Sequence, residues 1–125
     1  IIRFQFRQLI HNLIGNSLKF QKPSRPPRIS IKGEIVHGSK LNVEKLSGKI
    51  NYCHIIYTDN GIGFDPQYSE RIFEVFQRLH SKEEYRGTGM GLAICKRIVE
   101  NHHGVITASG KLNKGARFDI YIPAE

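Results

Sequence analysis

Three stretches of this sequence carry residue types suited to a phosphorylated ligand. The first is Asn12, Asn16 and Lys19, spaced by four and three positions, so that on a helix they share one face. An amide oxygen is a neutral hard ligand of the kind Mg²⁺ prefers, and a lysine one turn on can neutralise phosphate. An exposed polar helix face would show the same pattern. The second is Asp59-Asn60-Gly61-Ile62-Gly63. A carboxylate at the end of a buried strand can accept a hydrogen bond from an exocyclic amine such as adenine N6, and the glycines leave room for a flat base. Standing alone, the same residues make an ordinary Asn-Gly turn. The third is Gly87-Thr88-Gly89-Met90-Gly91-Leu92, which opens a helix. Glycines permit close backbone approach, and a helix N-terminus offers unpaired N–H groups, so together they can cradle phosphate. A hinge would use glycines in the same way. Leu92 stands where a dinucleotide fingerprint needs its third glycine, and no GxxxxGK[ST] occurs.

The elements that must position these residues follow from periodicity. Residues 2–20 read as an amphipathic helix, with Ile2, Phe6, Leu9, Ile10, Leu13 and Ser17 on one side; Pro23 and Pro26-Pro27 end it. Residues 28–37 alternate as a strand, with Ile29, Ile31 and Ile35 on one side, and residues 38–49 form a polar loop. Residues 50–58 form a strand apolar enough to be central. Asp65-Pro66 begins a turn, and residues 69–73 form a short helix. Residues 77–88 are polar and lack apolar anchors, which predicts a mobile loop. Residues 89–103 form a helix stopped by Gly104, and residues 105–109 and 116–122 pair as a hairpin. Helix, two strands, loop, helix, two strands is not a doubly wound order. It predicts an α+β fold with a mixed, mainly antiparallel sheet and helices on one face.

In order and spacing, these stretches resemble the catalytic ATP-binding domain of two-component sensor histidine kinases. Residues 6–20 are similar to the N box of that family, 59–63 to its G1 box, 71–78 to its F box and 87–93 to its G2 box, while 115–118 resemble its last glycine motif. The resemblance implies the Bergerat two-layer α/β sandwich shared with gyrase, Hsp90 and MutL ATPases, with ATP and Mg²⁺ as ligands. It implies that Asn16 ligates Mg²⁺, that Lys19 touches phosphate and that Phe20 packs near the adenine. Asp59 would bind adenine N6, and Gly61, Ile62 and Gly63 would shape the base pocket. Residues 77–88 would be the ATP lid, with Arg78 and Arg86 as phosphate contacts, and Phe76 of the F box would join the ATP site. Gly87, Thr88, Gly89, Met90, Gly91 and Leu92 would line the phosphates.

Asn12 discriminates among relatives. In the ATPases of this superfamily a glutamate four residues before the Mg²⁺ asparagine activates water; an amide there cannot act as a general base. Asn12 and Lys19 would then serve phosphoryl transfer by positioning and charge neutralisation. No histidine lies in an H-box context, so the resemblance places the phosphoacceptor histidine on a separate dimerisation domain, with a response regulator receiver domain downstream. The family also carries a strand before its first helix, for which the residues before Phe6 leave little room; the expectation is one domain over residues 1–125, cut at its N-terminal edge.

Composition bounds the alternatives. At 125 residues and +8, the chain is an ordinary globular size with a basic surface. Its basic residues are scattered with no aromatic-studded stripe, which argues against nucleic acid as a partner. No apolar run approaches the ~20 residues of a membrane span. Cys53 and Cys95 lie in apolar segments without a CxxC, as buried free thiols of a reducing cytoplasm. The rival readings are a regulatory module without turnover, a gyrase-type ATPase and a DNA-binding domain.

Overall fold

In the computed structural model, residues 3–20, 24, 26–41, 43, 45–68, 71–73 and 91–124 are described. Helix α1 (Arg3–Lys19) is followed by strands β1 (Ile29–His37) and β2 (Asn51–Asp59), then helix α2 (Gly91–Asn101) and strands β3 (Val105–Lys111) and β4 (Gly115–Pro123). The sheet order is β1-β2-β4-β3 and every neighbouring pair is antiparallel. The expected parallel component is therefore absent among the described residues. Of the short helix expected at 69–73, the described part, Arg71–Phe73, is a 3₁₀ turn, and a second 3₁₀ turn spans Pro66–Tyr68.

Alternation along the strands sorts side chains to two faces. The register sets Tyr57 opposite Phe118, and Ile55 opposite Ile120, which in turn faces Ile106 on β3. These residues and Ile122 make one buried face, and both helices cover it: Leu9 and Leu13 from α1, Cys95, Ile98 and Val99 from α2. Leu9, Leu13 and Ser17 recur every four residues, so the buried stripe of α1 ends in a hydroxyl. The helices meet where the Cys95 Sγ lies 3.8 Å from the Leu9 carbonyl. Burial pushes the Cys95 thiol up to about 12, which makes it inert. Cys53, expected to be buried, is only half-buried.

At the sheet edge, Ile31 and Ile35 share the helix-side face of β1 yet are 46% and 63% exposed. The alternation expected there is present, but its apolar members are not covered by the described residues. On the opposite face of the sheet, Tyr52, His54 and Tyr121 are themselves buried. His54 Nε2 donates to Asp119 Oδ2 (2.8 Å), its ring stacks on Tyr121 at 4.4 Å, and Arg117 grips Asp119 through two nitrogens at 2.8 and 2.9 Å. Buried strand faces on both sides explain why residues 50–58 read as a nearly continuous apolar run.

The end of α2 departs from expectation. Gly104 was expected to stop it, but the left-handed residue is His103, at φ 61°. The Gly104 N–H bonds the Val99 carbonyl and the His103 N–H bonds that of Glu100, which is a Schellman cap with histidine in the position glycine usually takes. The β3–β4 turn is also tighter than expected: only Leu112, Asn113 and Lys114 separate the strands.

Two predictions follow from the packing. His103→Gly relieves the left-handed backbone of an exposed residue and should raise stability by about 0.5–1 kcal/mol in urea unfolding; an unchanged or lower midpoint would contradict the cap. For Asp119, burial alone pushes the carboxyl up, but hydrogen bonds from Arg117 and then His54 outweigh it and hold the group below its ordinary value. A depressed folded value means that this stabilisation is complete above the unfolded value near ~4 and is lost as pH falls through the folded one. Asp119→Asn should therefore flatten the acid limb of a stability-versus-pH curve below about pH 4. Parallel acid limbs for the variant and the parent would show that the cluster is not linked to folding.

Candidate functional site

The last residue of β2 is the best-anchored side chain of the site. Asp59 Oδ1 accepts from the Gly61 N–H (3.0 Å) and the Ala116 N–H (3.2 Å), while Oδ2 accepts from the Ser17 hydroxyl (2.6 Å). The carboxylate thus joins three elements: its own loop, the start of β4 and the C-terminal half of α1. Ser17 is 3% exposed and also pairs with the Tyr57 hydroxyl at 2.7 Å. An ionised carboxylate only accepts, so the single Ser17 proton points to Asp59, and Tyr57 must be the donor to Ser17. Burial is the main cause that pushes the Tyr57 phenol up, with the Asp59 charge adding to it, which keeps the hydroxyl protonated and able to donate.

The loop after Asp59 is stitched on both sides. The Ile62 N–H donates to the Phe20 carbonyl at 2.9 Å, and the Ile62 carbonyl accepts from the Asn113 N–H at 2.8 Å. A β-carbon on Gly61 would lie 2.6 Å from the Phe20 carbonyl oxygen, so only glycine lets the end of α1 approach this closely. Gly63 is at φ 66° and backs onto the carbonyls of Lys111 and Gly115. Asn60 turns the other way: its side chain accepts from the Arg28 N–H (2.7 Å) and donates to the Pro26 carbonyl (3.0 Å), which fastens the proline segment to the loop. A wide cavity of about 620 Å³ opens there, lined by Pro27, Arg28, Ile29, Ser30, Thr58, Asp59 and Asn60. No residue of α1 lines it, so it is not the cleft between α1 and Asp59.

On α1, Asn12 and Asn16 are half-buried and Lys19 is exposed. Ser17, the residue after Asn16, brings the C-terminal half of α1 to the Asp59 carboxylate. The Nδ2 of Asn12 is shut off from solvent and has no hydrogen-bond partner among the described residues. A buried amide left unpaired is costly, and a phosphoryl oxygen would satisfy it once the atom is uncovered. Turned over, the same amide would present its oxygen, a suitable donor to Mg²⁺. The residues present therefore fit both a phosphate and a divalent cation.

Among the remaining expected residues, Phe20 takes part through its carbonyl and its side chain is half-buried. Gly91 begins α2, and Leu92 packs against the core. Phe76, Arg78, Arg86, Gly87, Thr88, Gly89 and Met90, and the loop expected to be mobile, lie outside the described residues. Sequence reasoning missed Tyr57 and took Ser17 only as the end of an apolar stripe. A signal was available for both: Tyr57 is two residues before Asp59 and so on its face of the strand, and Ser17 is a hydroxyl in the apolar register of α1.

In this two-layer domain the helix that bears Asn12, Asn16 and Lys19 is tied through Ser17 to a carboxylate at the end of a strand. The chain belongs to the histidine kinase-, DNA gyrase B- and HSP90-like ATPase family, whose model matches residues 2–125. It is 44% identical over 119 residues to cyanobacterial phytochrome A of Nostoc sp., a match that covers 95% of this chain and 14% of that protein. It is 34% identical over 119 residues to the sensor protein RprX of Bacteroides fragilis, covering 92% of this chain and 20% of that one. The chain thus spans a small part of these relatives. Among solved structures, full-length ShkA in complex with AMPPNP aligns with a TM-score of 0.70 at 26% identity, over 95% of this chain and 21% of that one. The mycobacterial sensor histidine kinase MprB shares the fold with a TM-score of 0.70 at 24% identity, over 93% of this chain and 70% of that one.

The packing of the loop gives a direct test. Gly61→Ala should force the loop away from α1 and lower stability by roughly 1–3 kcal/mol, since the obstacle is backbone rather than a movable side chain. Thermal unfolding checks this, and an unshifted Tm would mean that the close approach to Phe20 is not maintained.

Proposed function

We propose that this chain is the catalytic ATP-binding domain of a sensor histidine kinase: it holds Mg·ATP and delivers the γ-phosphoryl group to a histidine on a separate phosphoacceptor domain. The observation that supports this reading is the bond from Ser17 to Asp59, which ties the helix bearing Asn12 and Asn16 to the strand-end carboxylate. Asp59 accepts from the adenine 6-amino group, and Gly61, Ile62 and Gly63 form the floor beneath the base. Asn16 holds Mg²⁺ through its amide oxygen, Asn12 pairs its buried amide with the phosphate end, and Lys19 neutralises phosphate. The bound cation supplies charge neutralisation at the transferring phosphoryl group. Arg78, Arg86 and the turn from Gly87 to Gly91 complete the phosphate contacts.

Asn12 cannot deprotonate water, so the domain keeps ATP for an external nucleophile rather than hydrolysing it. The ShkA–AMPPNP complex and the sensor proteins among the relatives support this class. A receiver domain of a response regulator is the next acceptor, and the setting is cytoplasmic. No helix among the described residues is long and apolar enough to cross a membrane.

Titration calorimetry with a nonhydrolysable ATP analogue, with and without Mg²⁺, tests the reading. Asp59→Asn should weaken binding by at least about tenfold, the scale of a lost hydrogen bond to a charged group. Asn16→Ala should remove most of the gain that Mg²⁺ gives. Absence of binding by a folded sample would end the assignment, and steady phosphate release from the isolated chain would favour an ATPase instead.

A further inference from the structure

Asp59 has little freedom left once its partners are counted. A carboxylate offers about four lone-pair sites. Oδ1 uses two, on the Gly61 and Ala116 N–H groups, and Oδ2 uses one on Ser17. One site on Oδ2 remains for a ligand. Its direction depends on where Ser17 holds its proton, and a serine hydroxyl rotates to suit whatever surrounds it. Tyr57 narrows that freedom. Its proton takes one of the two acceptor positions of Ser17, so the Ser17 proton does not turn to the tyrosine and is held by the Asp59 carboxylate at 2.6 Å. The tyrosine ring is fully buried and packs edge-on against Phe118 at 6.1 Å, which fixes the hydroxyl in turn.

We propose that Tyr57 and Ser17 are positioning residues for base selection: the relay Tyr57 O–H to Ser17 Oγ, and Ser17 O–H to Asp59 Oδ2, keeps the free Asp59 site an acceptor aimed at a 6-amino purine and closed to a 6-oxo purine. This rests on the assignment of Asp59 to the base. A 6-oxo group would bring its own lone pairs against those of Asp59. It would be tolerated only if a donor nearby could turn toward it. Ser17 is that donor, and its paired bonds to Tyr57 and Asp59 oppose the turn. Because Ser17 is next to Asn16 on α1, the relay also fixes the helix that carries the phosphate-end amides relative to the carboxylate.

The test compares Mg²⁺-loaded nonhydrolysable adenosine and inosine triphosphate analogues, and reads the ratio of their affinities in this chain. Tyr57→Phe keeps the ring in the core and removes only the hydroxyl. It should lower the adenine-to-inosine ratio by on the order of five- to tenfold, through tighter inosine binding as well as weaker adenine binding. Ser17→Ala should lower the ratio to a similar extent. The double variant should do no more than the stronger single one, because both act along one chain of bonds. A structural role alone would lower both affinities together and leave the ratio in place; that result for both single variants overturns the relay. Asp59→Asn separates this failure from that of the site assignment. If it collapses the ratio while Tyr57→Phe and Ser17→Ala do not, the relay alone is wrong. If it too leaves the ratio unchanged, Asp59 does not read the base and both readings fall.

Discussion

The constraint on which the rest of this structure depends is the carboxylate of Asp59, held by donors from three elements. One comes from its own loop, one from the first residues of β4 and one from α1. Apart from the bonds of Ser17 to Asp59 and Tyr57, the helix and sheet layers pack through the apolar core, which fixes distance well but sliding poorly. A charge-assisted bond between Ser17 and Asp59, at 2.6 Å and partly buried, adds direction. It sets how far along the sheet α1 sits, and with it where Asn12, Asn16 and Lys19 point.

The sheet does not divide into one wet face and one dry face. Tyr52, His54 and Tyr121 are buried on the side away from the helices, and the ionic chain from His54 through Asp119 to Arg117 closes over that side. The central strands are therefore loaded on both faces, which suits a strand whose last residue must not move. The edge strand β1 carries the contrast: Ile31 and Ile35 lie on the helix-side face but stand well exposed.

Much of this was readable before the fold was known, because it depended on local rules. The first helix, read over residues 2–20, the central strand, read over 50–58, and the placement of Asp59 at a strand end all follow from periodicity and punctuation. What escaped depended on partners distant in sequence. The role of Ser17 needs Asp59, 42 residues away, and that of His54 needs Asp119, 65 residues away. The Schellman cap was missed for a different reason: glycine one position later was the better local signal, while backbone bonding placed the left-handed conformation on His103. The α+β class and the mainly antiparallel sheet were legible too, from the order of helices and strands, and all the described strand pairs are antiparallel.

Ile62 is gripped on both sides, its N–H by the end of α1 and its carbonyl by the β3–β4 turn. The two peptide units that flank it have little rotation left to surrender, so a base seated there as proposed would meet a template rather than an adapting surface. Association then forfeits little chain entropy on that side, and adjustments of fit must come from the ligand's own torsions. Purines, being flat and rigid, suit such a floor better than any flexible group of equal size.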